Sequence, residues 1–314
     1  MNIFRKANFY KIPQHSVVTI GMFDGVHRGH REVMKSLLDM AEDRGSEALV
    51  VTFDRHPRLV LGKETDDFQL LNTCDERYKM MEALGVENVV ELAFDHDVAS
   101  LSACEFFRKM LVEKLSAKAL LLGYDNMFGN KRNNDFDRIY DLAKTENVEV
   151  FNGNPVILDG LEISSTEIRK ALKSGNIELA NDMLGYAYSF SGTVVEGKKI
   201  GHTFGYPTAN IECNDKMKML PSDGVYCTSL NIGGKRFMSM TNIGSQPTFG
   251  CEKRTCETHI LDFGGDIYGK NVELEFLGKI RDIRKFESSR QLVCQLDEDR
   301  NFCRQFFSGR RPVK

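Results

Sequence analysis

Residues 17–44 read VVTIGMFDGVHRGHREVMKSLLDMAEDR. The run Val17–Phe23 is apolar and rich in β-branched residues, as a buried strand requires. A turn bearing Asp24 and Gly25 follows. From Gly29 to Arg44 the apolar residues return at a spacing near 3.6, which predicts a helix. A strand that feeds a helix through such a turn opens a parallel α/β sheet.

The alternation continues outward from this unit. Strands are predicted at Glu47–Phe53, Asn88–Phe94, Lys118–Tyr124 and Val148–Phe151, and helices at Cys74–Leu84, Ser102–Leu115 and Asp135–Glu146. This pattern predicts a parallel sheet with helices on both faces, and ligands in such sheets bind beyond the carboxyl ends of the strands. The segments after Phe23, Phe53 and Tyr124 are therefore the places to look. Ser164–Lys173 and Ile177–Leu184 read as two short closing helices.

From Ser189 the pattern changes. Turns at Gly233–Gly234 and Gly264–Gly265 separate short β-rich runs at Gly192–Val195, Val225–Ile232, Phe237–Ile243, Thr255–Phe263 and Val272–Ile280. These predict an antiparallel sandwich or barrel. Ser289–Phe307 reads as a terminal helix. The expected boundary lies near Gly185–Ser189, giving domains 1–186 and 187–314. Charge supports the division: residues 1–186 carry 23 Lys/Arg against 30 Asp/Glu, and 187–314 carry 19 against 15.

The composition excludes several classes. At 314 residues the chain exceeds what one core usually supports. Hydrophobic residues at 41% and charged residues at 28% exclude disorder. A net charge of −3 argues against a nucleic-acid-binding surface. No apolar run approaches the roughly 20 residues of a membrane span, and MNIFRKANFYKIPQ carries no apolar leader core. The eight cysteines are scattered without a C-x-x-C pair, so reduced thiols in a cytoplasmic protein are expected.

Four segments of the first half carry chemistry. Gly21-Met-Phe23-Asp24-Gly25-Val-His27-Arg-Gly29-His30 joins a strand end to a helix start, where unpaired N–H groups attract anions. His27 and His30, three residues apart on one side of the first turn, are either two surface histidines of a Gly-rich turn or donors to phosphate oxygens. In Ile163-Ser164-Ser165-Thr166-Glu167-Ile168-Arg169, Ser164 and Glu167 match a capping box, and the same helix start with Arg169 suits a phosphate. Phe53-Asp-Arg-His56-Pro57 and Gly123-Tyr-Asp125-Asn126-Met-Phe128-Gly129 each follow a strand, and either is a loop or a cradle for a flat heterocycle.

In the second half, Gly192 to Lys199 imitates a Walker loop but lacks the following Ser/Thr, and its Val-Val centre suits a strand instead. Gly201-His-Thr-Phe-Gly205-Tyr-Pro207-Thr208-Ala-Asn210 combines spaced glycines with neutral oxygen donors that suit Mg²⁺. Glu257-Thr-His259 alternates with period two, and Glu257 is either an exposed edge charge or a base for the proton of an alcohol attacking phosphate.

The first half resembles the FMN adenylyltransferase module of bacterial bifunctional riboflavin kinase/FAD synthetases, which carries G-x-F-D-G-x-H-x-G-H, T-F-x-x-H-P, G-x-(D/N)-x-x-F-G and I-S-S-T-x-I-R in this order. The resemblance implies a Rossmann-like nucleotidyltransferase fold, with His27, His30 and Arg169 catalytic. It implies ATP contacts at Gly21, Phe23, Asp24, Gly25, Gly29, Ser164, Ser165 and Thr166, and flavin contacts at Phe53, His56, Pro57, Asp125 and Phe128. The chain departs from that pattern at Asn126, where many relatives have an aromatic residue, and at Lys131 and Asn134, which replace glycines. The second half resembles the riboflavin kinase module of the same family, through Gly205-Tyr-Pro207-Thr208-Ala-Asn210, Gly224-Val-Tyr226, Asn242-Ile-Gly244 and Glu257-Thr-His259. That implies a six-stranded antiparallel barrel with a C-terminal helix, Glu257 as general base, and Mg²⁺ at Thr208 and Asn210. It also implies ATP contacts at Gly201, Gly205 and Pro207, and a flavin contact at Arg281. Ile283 stands where relatives commonly have Glu.

Taken together, the resemblance implies phosphorylation of riboflavin to FMN with ADP as by-product, then adenylylation of FMN to FAD with release of pyrophosphate. No nucleic-acid or membrane partner is expected. The alternatives are a mainly monofunctional riboflavin kinase with attenuated adenylyl transfer and a non-catalytic flavin-binding regulator.

Overall fold

The computed structural model describes residues 1–5, 15–60, 68–124, 135–197, 200–248 and 251–309. It divides into two compact units, Met1–Ser165 and Thr166–Lys314.

The first unit is built on a six-stranded parallel sheet. Its strands are β1 (Asn2–Phe4), β2 (Val17–Ile20), β3 (Ala48–Phe53), β4 (Asn88–Leu92), β5 (Ala119–Leu122) and β6 (Glu149–Asn152), in the order β1-β4-β3-β2-β5-β6. Every residue of β2 and β5 is buried, as strands covered on both faces must be. The helices are α1 (Arg28–Asp43), α2 (Pro57–Val60), α3 (Cys74–Ala83), α4 (His96–Ser100), α5 (Ala103–Phe106) and α6 (Asp135–Thr145). A π-helical stretch, Phe107–Lys114, continues α5 and buries Phe107, Met110 and Leu111. One core contains Met34 and Leu37 of α1 with Met81 of α3; the other contains Phe107, Leu111 and Ile139. Strand order reverses beside β2, so the loop after β2 opens at the switch point where such sheets bind ligands. A small hairpin of β7 (Ile157–Leu158) and β8 (Leu161–Glu162) follows β6.

Helix α7 (Ser165–Ser174) spans the division between the units, and α8 (Ile177–Leu184) belongs to the second. Asn181 holds α8 to the barrel: its Nδ2 donates to the Phe276 carbonyl at 2.8 Å, and its Oδ1 accepts from the Tyr188 N–H at 2.7 Å.

The barrel strands are β9 (Ser189–Val195), β10 (Ala209–Cys213), β11 (Gly224–Ile232), β12 (Lys235–Thr248), β13 (Cys251–Ile260) and β14 (Asn271–Arg281). They close in the order β10-β13-β12-β11-β14-β9, all neighbours antiparallel. Of the two architectures the sequence allowed, the barrel forms. Period-two alternation gives each strand two faces. Tyr226, Thr228, Leu230, Thr241 and Thr258 lie on the inner face, where hydroxyl contacts of 2.8–2.9 Å link Thr228, Ser239, Thr241 and Thr258. The outer face offers Cys227 and Met240 to Cys303 of α9 (Ser289–Phe307). Ser288 caps α9, its hydroxyl accepting from the Gln291 N–H. Strands β1 and β10 are additions to the sequence reading: β1 has only three residues, and β10 lies in a stretch dominated by glycine, proline and asparagine signals.

Candidate functional sites

The loop after β2 is strained. Phe23 has φ 51° and Val26 φ 33°, both in the left-handed region that non-glycine residues avoid, and Val26 is β-branched and fully buried. Such a conformation persists only where its surroundings hold it. Asp24, 2% exposed, does so with its carboxylate, which accepts from the Leu71 N–H at 3.0 and 3.1 Å and from the Asn72 N–H at 3.0 Å. The Ser165 hydroxyl donates to the Asp24 carbonyl at 2.7 Å, bringing part of the I-S-S-T motif onto this loop.

His27 caps α1. Its Nδ1 accepts from the His30 N–H at 3.3 Å, so in the neutral ring the proton sits on Nε2. The cap thus leaves Nε2–H as the donor. The His27 and His30 rings stack with centroids 3.6 Å apart, and Phe23 meets His30 edge-on at 5.3 Å. A Cβ on Gly29 would come within 3.2 Å of the His27 ring, so glycine keeps that ring in place. Burial, then His27, then Arg77 hold His30 well below the usual imidazole range, and its Nδ1 is buried with no hydrogen-bond partner among the described residues. This pair of donors at the start of a sixteen-residue helix is suited to polyphosphate.

The T-F-x-x-H-P segment ends β3 beside this turn. Phe53 packs edge-on against Phe94 at 5.2 Å, and His56 packs against Phe68 at 4.4 Å while its Nδ1 accepts from the Arg58 N–H at 3.2 Å. Pro57 starts α2. Arg77 of α3 bridges the two loops: it donates to the Met22 carbonyl at 2.9 Å and to the Phe53 carbonyl at 2.8 Å. Sequence reasoning passed over Arg77, which looks like an ordinary charged helix residue. Asp125, Asn126, Phe128, Lys131 and Asn134 lie outside the described residues. Thr166 and Arg169 lie on α7 in the second unit.

In the barrel, register assembles the site. Asn210 of β10 stands directly opposite Glu257 of β13, which stands opposite Asn242 of β12. Cross-strand partners have Cβ atoms about 4.5–5.5 Å apart and point to the same side. Glu257 and Asn242 of this row face a cavity of about 560 Å³ between the outer barrel face and α9, lined also by Thr208, His259, Arg281 and Leu296. Gly201 also lines it. A Cβ on Gly197 would fall 1.9 Å from the Asn210 Nδ2, so the glycine of the rejected Walker pattern serves to seat Asn210.

His259 Nδ1 lies 2.8 Å from the Pro207 carbonyl, which can only accept, so Nδ1 carries the proton. This bond ties the Gly205–Pro207 turn to the strand of Glu257. Burial lowers the His259 pKa below the usual value. Tyr206 sits 5.0 Å from the His259 ring and donates to Asp297 of α9 at 2.6 Å; burial and that bond push its hydroxyl up to about 12. Arg281 lines the cavity, and its guanidinium makes contacts of 2.8–3.0 Å with Asp299, whose side chain is fully buried. Gln295 donates to the same carboxylate at 2.9 Å. Ile283 is 47% exposed at the cavity edge. Among the described residues no cluster of three His, Cys, Asp or Glu side chains is placed to hold a metal ion.

Comparisons with known proteins agree with both halves. A family model described as FAD synthetase matches residues 10–167, and one described as riboflavin kinase matches 184–307. The chain is 36% identical over 290 residues to the bifunctional riboflavin kinase/FMN adenylyltransferase of Pseudomonas fluorescens, covering 91% of this chain and 92% of that one. Identity to the protein of the same name from Escherichia coli K12 is 33% over 308 residues, covering 98% and 97%. For the Bacillus subtilis protein of that name it is 33% over 304 residues, covering 94% of each. A crystal structure from Streptococcus pneumoniae, described as a macrolide-efflux protein, matches with a TM-score of 0.87 and 35% identity, over 97% of this chain and 99% of that one. Among the described residues no helix is long and apolar enough to cross a membrane. With both family models matched in order and curated relatives aligned nearly end to end, the chain belongs to the bifunctional riboflavin kinase/FMN adenylyltransferase family.

Proposed function

We propose that the protein phosphorylates riboflavin to FMN in residues 187–314 and converts FMN to FAD in residues 1–186. The two family matches, which end at 167 and resume at 184, support this division. The observation that carries the reading is the cross-strand row Asn210–Glu257–Asn242, whose Glu257 carboxylate shares one cavity with the neutral oxygens of Asn242 and Thr208.

In the kinase step, Glu257 accepts the proton of the ribityl 5′-hydroxyl as its oxygen attacks the γ-phosphorus of ATP, and ADP leaves. Gly201, Gly205 and Pro207 form the turn over the phosphates, and Arg281 borders the flavin. Thr208 and Asn210 offer the hard oxygen donors that Mg²⁺ prefers, a donor set of the right chemistry. When bound, Mg²⁺ supplies charge neutralisation for the phosphates.

In the adenylyl-transfer step, the FMN phosphate attacks the α-phosphorus of a second ATP and pyrophosphate leaves. His27 and His30 donate to the polyphosphate from the α1 start. FMN is already an anionic nucleophile, so no dedicated base is needed. Gly21, Phe23, Gly25 and Gly29 shape the ATP turn, Asp24 holds it, and Ser164, Ser165 and Thr166 complete it. Phe53, His56 and Pro57 form the flavin side. We place the enzyme in the cytoplasm, in keeping with the seven free cysteines among the described residues.

The test is chromatographic: riboflavin, FMN and FAD are resolved over time after mixing protein, riboflavin, ATP and Mg²⁺. FMN that rises and then converts to FAD is the expected course. FMN that accumulates without FAD, even when supplied directly, gives the kinase-only reading that Lys131 and Asn134 motivate. Flavin binding without any conversion gives the regulator.

A further inference from the structure

Arg77 has a setting that the adenylyl-transfer mechanism above does not use. It is 2% exposed on α3. Its described hydrogen bonds go to the Met22 carbonyl, the Phe53 carbonyl and, at 3.4 Å, the Cys74 sulfur, and its Nε is buried with no partner among the described residues. None of these partners is a carboxylate. Glu91, whose field reaches Arg77, is itself engaged by Arg5 at 2.5 Å and by the Tyr78 hydroxyl.

A buried guanidinium hydrogen-bonded only to neutral groups is costly, because no directly bonded carboxylate offsets its desolvation and only the field of Glu91 acts on it. Its position shows where a counter-charge would act. Met22 and Phe53 lie at the carboxyl ends of β2 and β3, and Met22 directly precedes the strained turn that carries His27 and His30. The field of Arg77 acts on His30 and helps keep that ring neutral. A polyphosphate on the turn would bring negative charge close to both groups at once.

We infer that Arg77 is a positioning residue for adenylyl transfer, a fixed cation beneath the His27–His30 turn that strengthens the turn's hold on polyphosphate while its fork ties that turn to the end of β3. Arginine suits this place because one planar fork reaches the Met22 carbonyl of the loop after β2 and the Phe53 carbonyl at the end of β3. The inference rests on the reading of the turn as a polyphosphate site.

The test uses the full chain and the variants Arg77→Lys, Arg77→Gln and Arg77→Met, with thermal unfolding as a check on folding. Three quantities are measured: KM for ATP, KM for FMN, and the inhibition constant of inorganic pyrophosphate. Riboflavin phosphorylation by the same chain is the internal control. Arg77→Met and Arg77→Gln are expected to raise both the ATP KM and the pyrophosphate constant about tenfold, with FMN KM within about threefold and kinase activity unchanged. Arg77→Lys, which keeps the charge and loses the fork, is expected to stay within about threefold of the native ATP KM. An unchanged ATP KM in Arg77→Met overturns the inference. So does an equal loss in Arg77→Lys and Arg77→Met with both KM values rising together, since that is the mark of a purely structural residue. If the neutral variants do not fold, Arg77→Lys decides alone: a rise of about tenfold in its ATP KM is the overturning result. Native protein that pyrophosphate does not inhibit would refute the turn reading itself, whereas normal inhibition with indifferent Arg77 variants refutes only the role of Arg77.

Discussion

The two units reach phosphate chemistry by different construction. In the first, the histidines sit on a strained loop, and buried polar groups outside that loop hold it: Leu71 and Asn72 on Asp24, and Arg77 on Met22 and Phe53. In the barrel, Asn210, Glu257 and Asn242 are neighbours because three antiparallel strands pair in one register. A ladder fixes side chains through backbone hydrogen bonds that almost any sequence can make. A loop has no such ladder and needs specific side chains. Substitutions away from the reacting groups should therefore damage the first site more readily than the second.

The sharpest test of separate sites is Glu257→Gln. Loss of a general base typically costs about 10²–10⁴-fold in rate. FMN formation should fall by that much while FMN-to-FAD conversion stays at the native rate, as read by product chromatography from each substrate. Loss of both would break the two-site description.

Next in size is His27, which has two roles to separate. Asparagine is a good helix cap, so His27→Asn should leave the unfolding midpoint near native while FAD synthesis falls about 10²-fold, the usual loss for one transition-state donor. His27→Ala should lose the same activity and a further ~1 kcal/mol of stability. Equal stability in the two variants would remove the cap from the account.

Gly197→Ala probes the barrel. The new Cβ meets the Asn210 amide and forces it to turn. The expected result is a fall of about tenfold in riboflavin phosphorylation, with unfolding unchanged and adenylyl transfer intact. A fully active variant would show that Asn210 tolerates displacement.

The smallest effect is the pH dependence of stability. Burial lowers the His30 pKa from the ordinary value of 6.5, so the unfolded chain binds a proton there that the native chain refuses. Stability from this group is complete above pH 6.5 and declines as pH falls below it, until the native pKa is reached. His30→Gln should flatten that slope in denaturant titrations of the first unit. An unaltered slope would mean that His30 is not the group responsible.

Periodicity made most of the architecture legible. The runs at 17–23, 47–53, 88–94 and 118–124 were long and apolar enough to declare a parallel sheet, and Ser289–Phe307 matches α9 residue for residue. Strands β1 and β10 escaped because three residues carry too little pattern, and because a Pro-Thr-Ala-Asn turn looks the same whether or not a strand follows. His27, His30, Thr208 and Glu257 were legible only through the family resemblance, since each of these short motifs taken alone reads equally as a turn or an exposed edge. Arg77, the Asp24 clasp, the His259–Pro207 bond and the seat of Asn210 on Gly197 were not. Each joins residues far apart in the chain, and neither partner announces itself: Arg77 meets Met22 across 55 positions and His259 meets Pro207 across 52. The sequence by itself determined most of the elements and the motifs that carry the family resemblance, because propensity and period are local properties. Only the tertiary structure decided which way those side chains face, which tautomers the histidines adopt and which buried charge lies beside the His27–His30 turn, because burial and partnership are set by what the fold brings alongside.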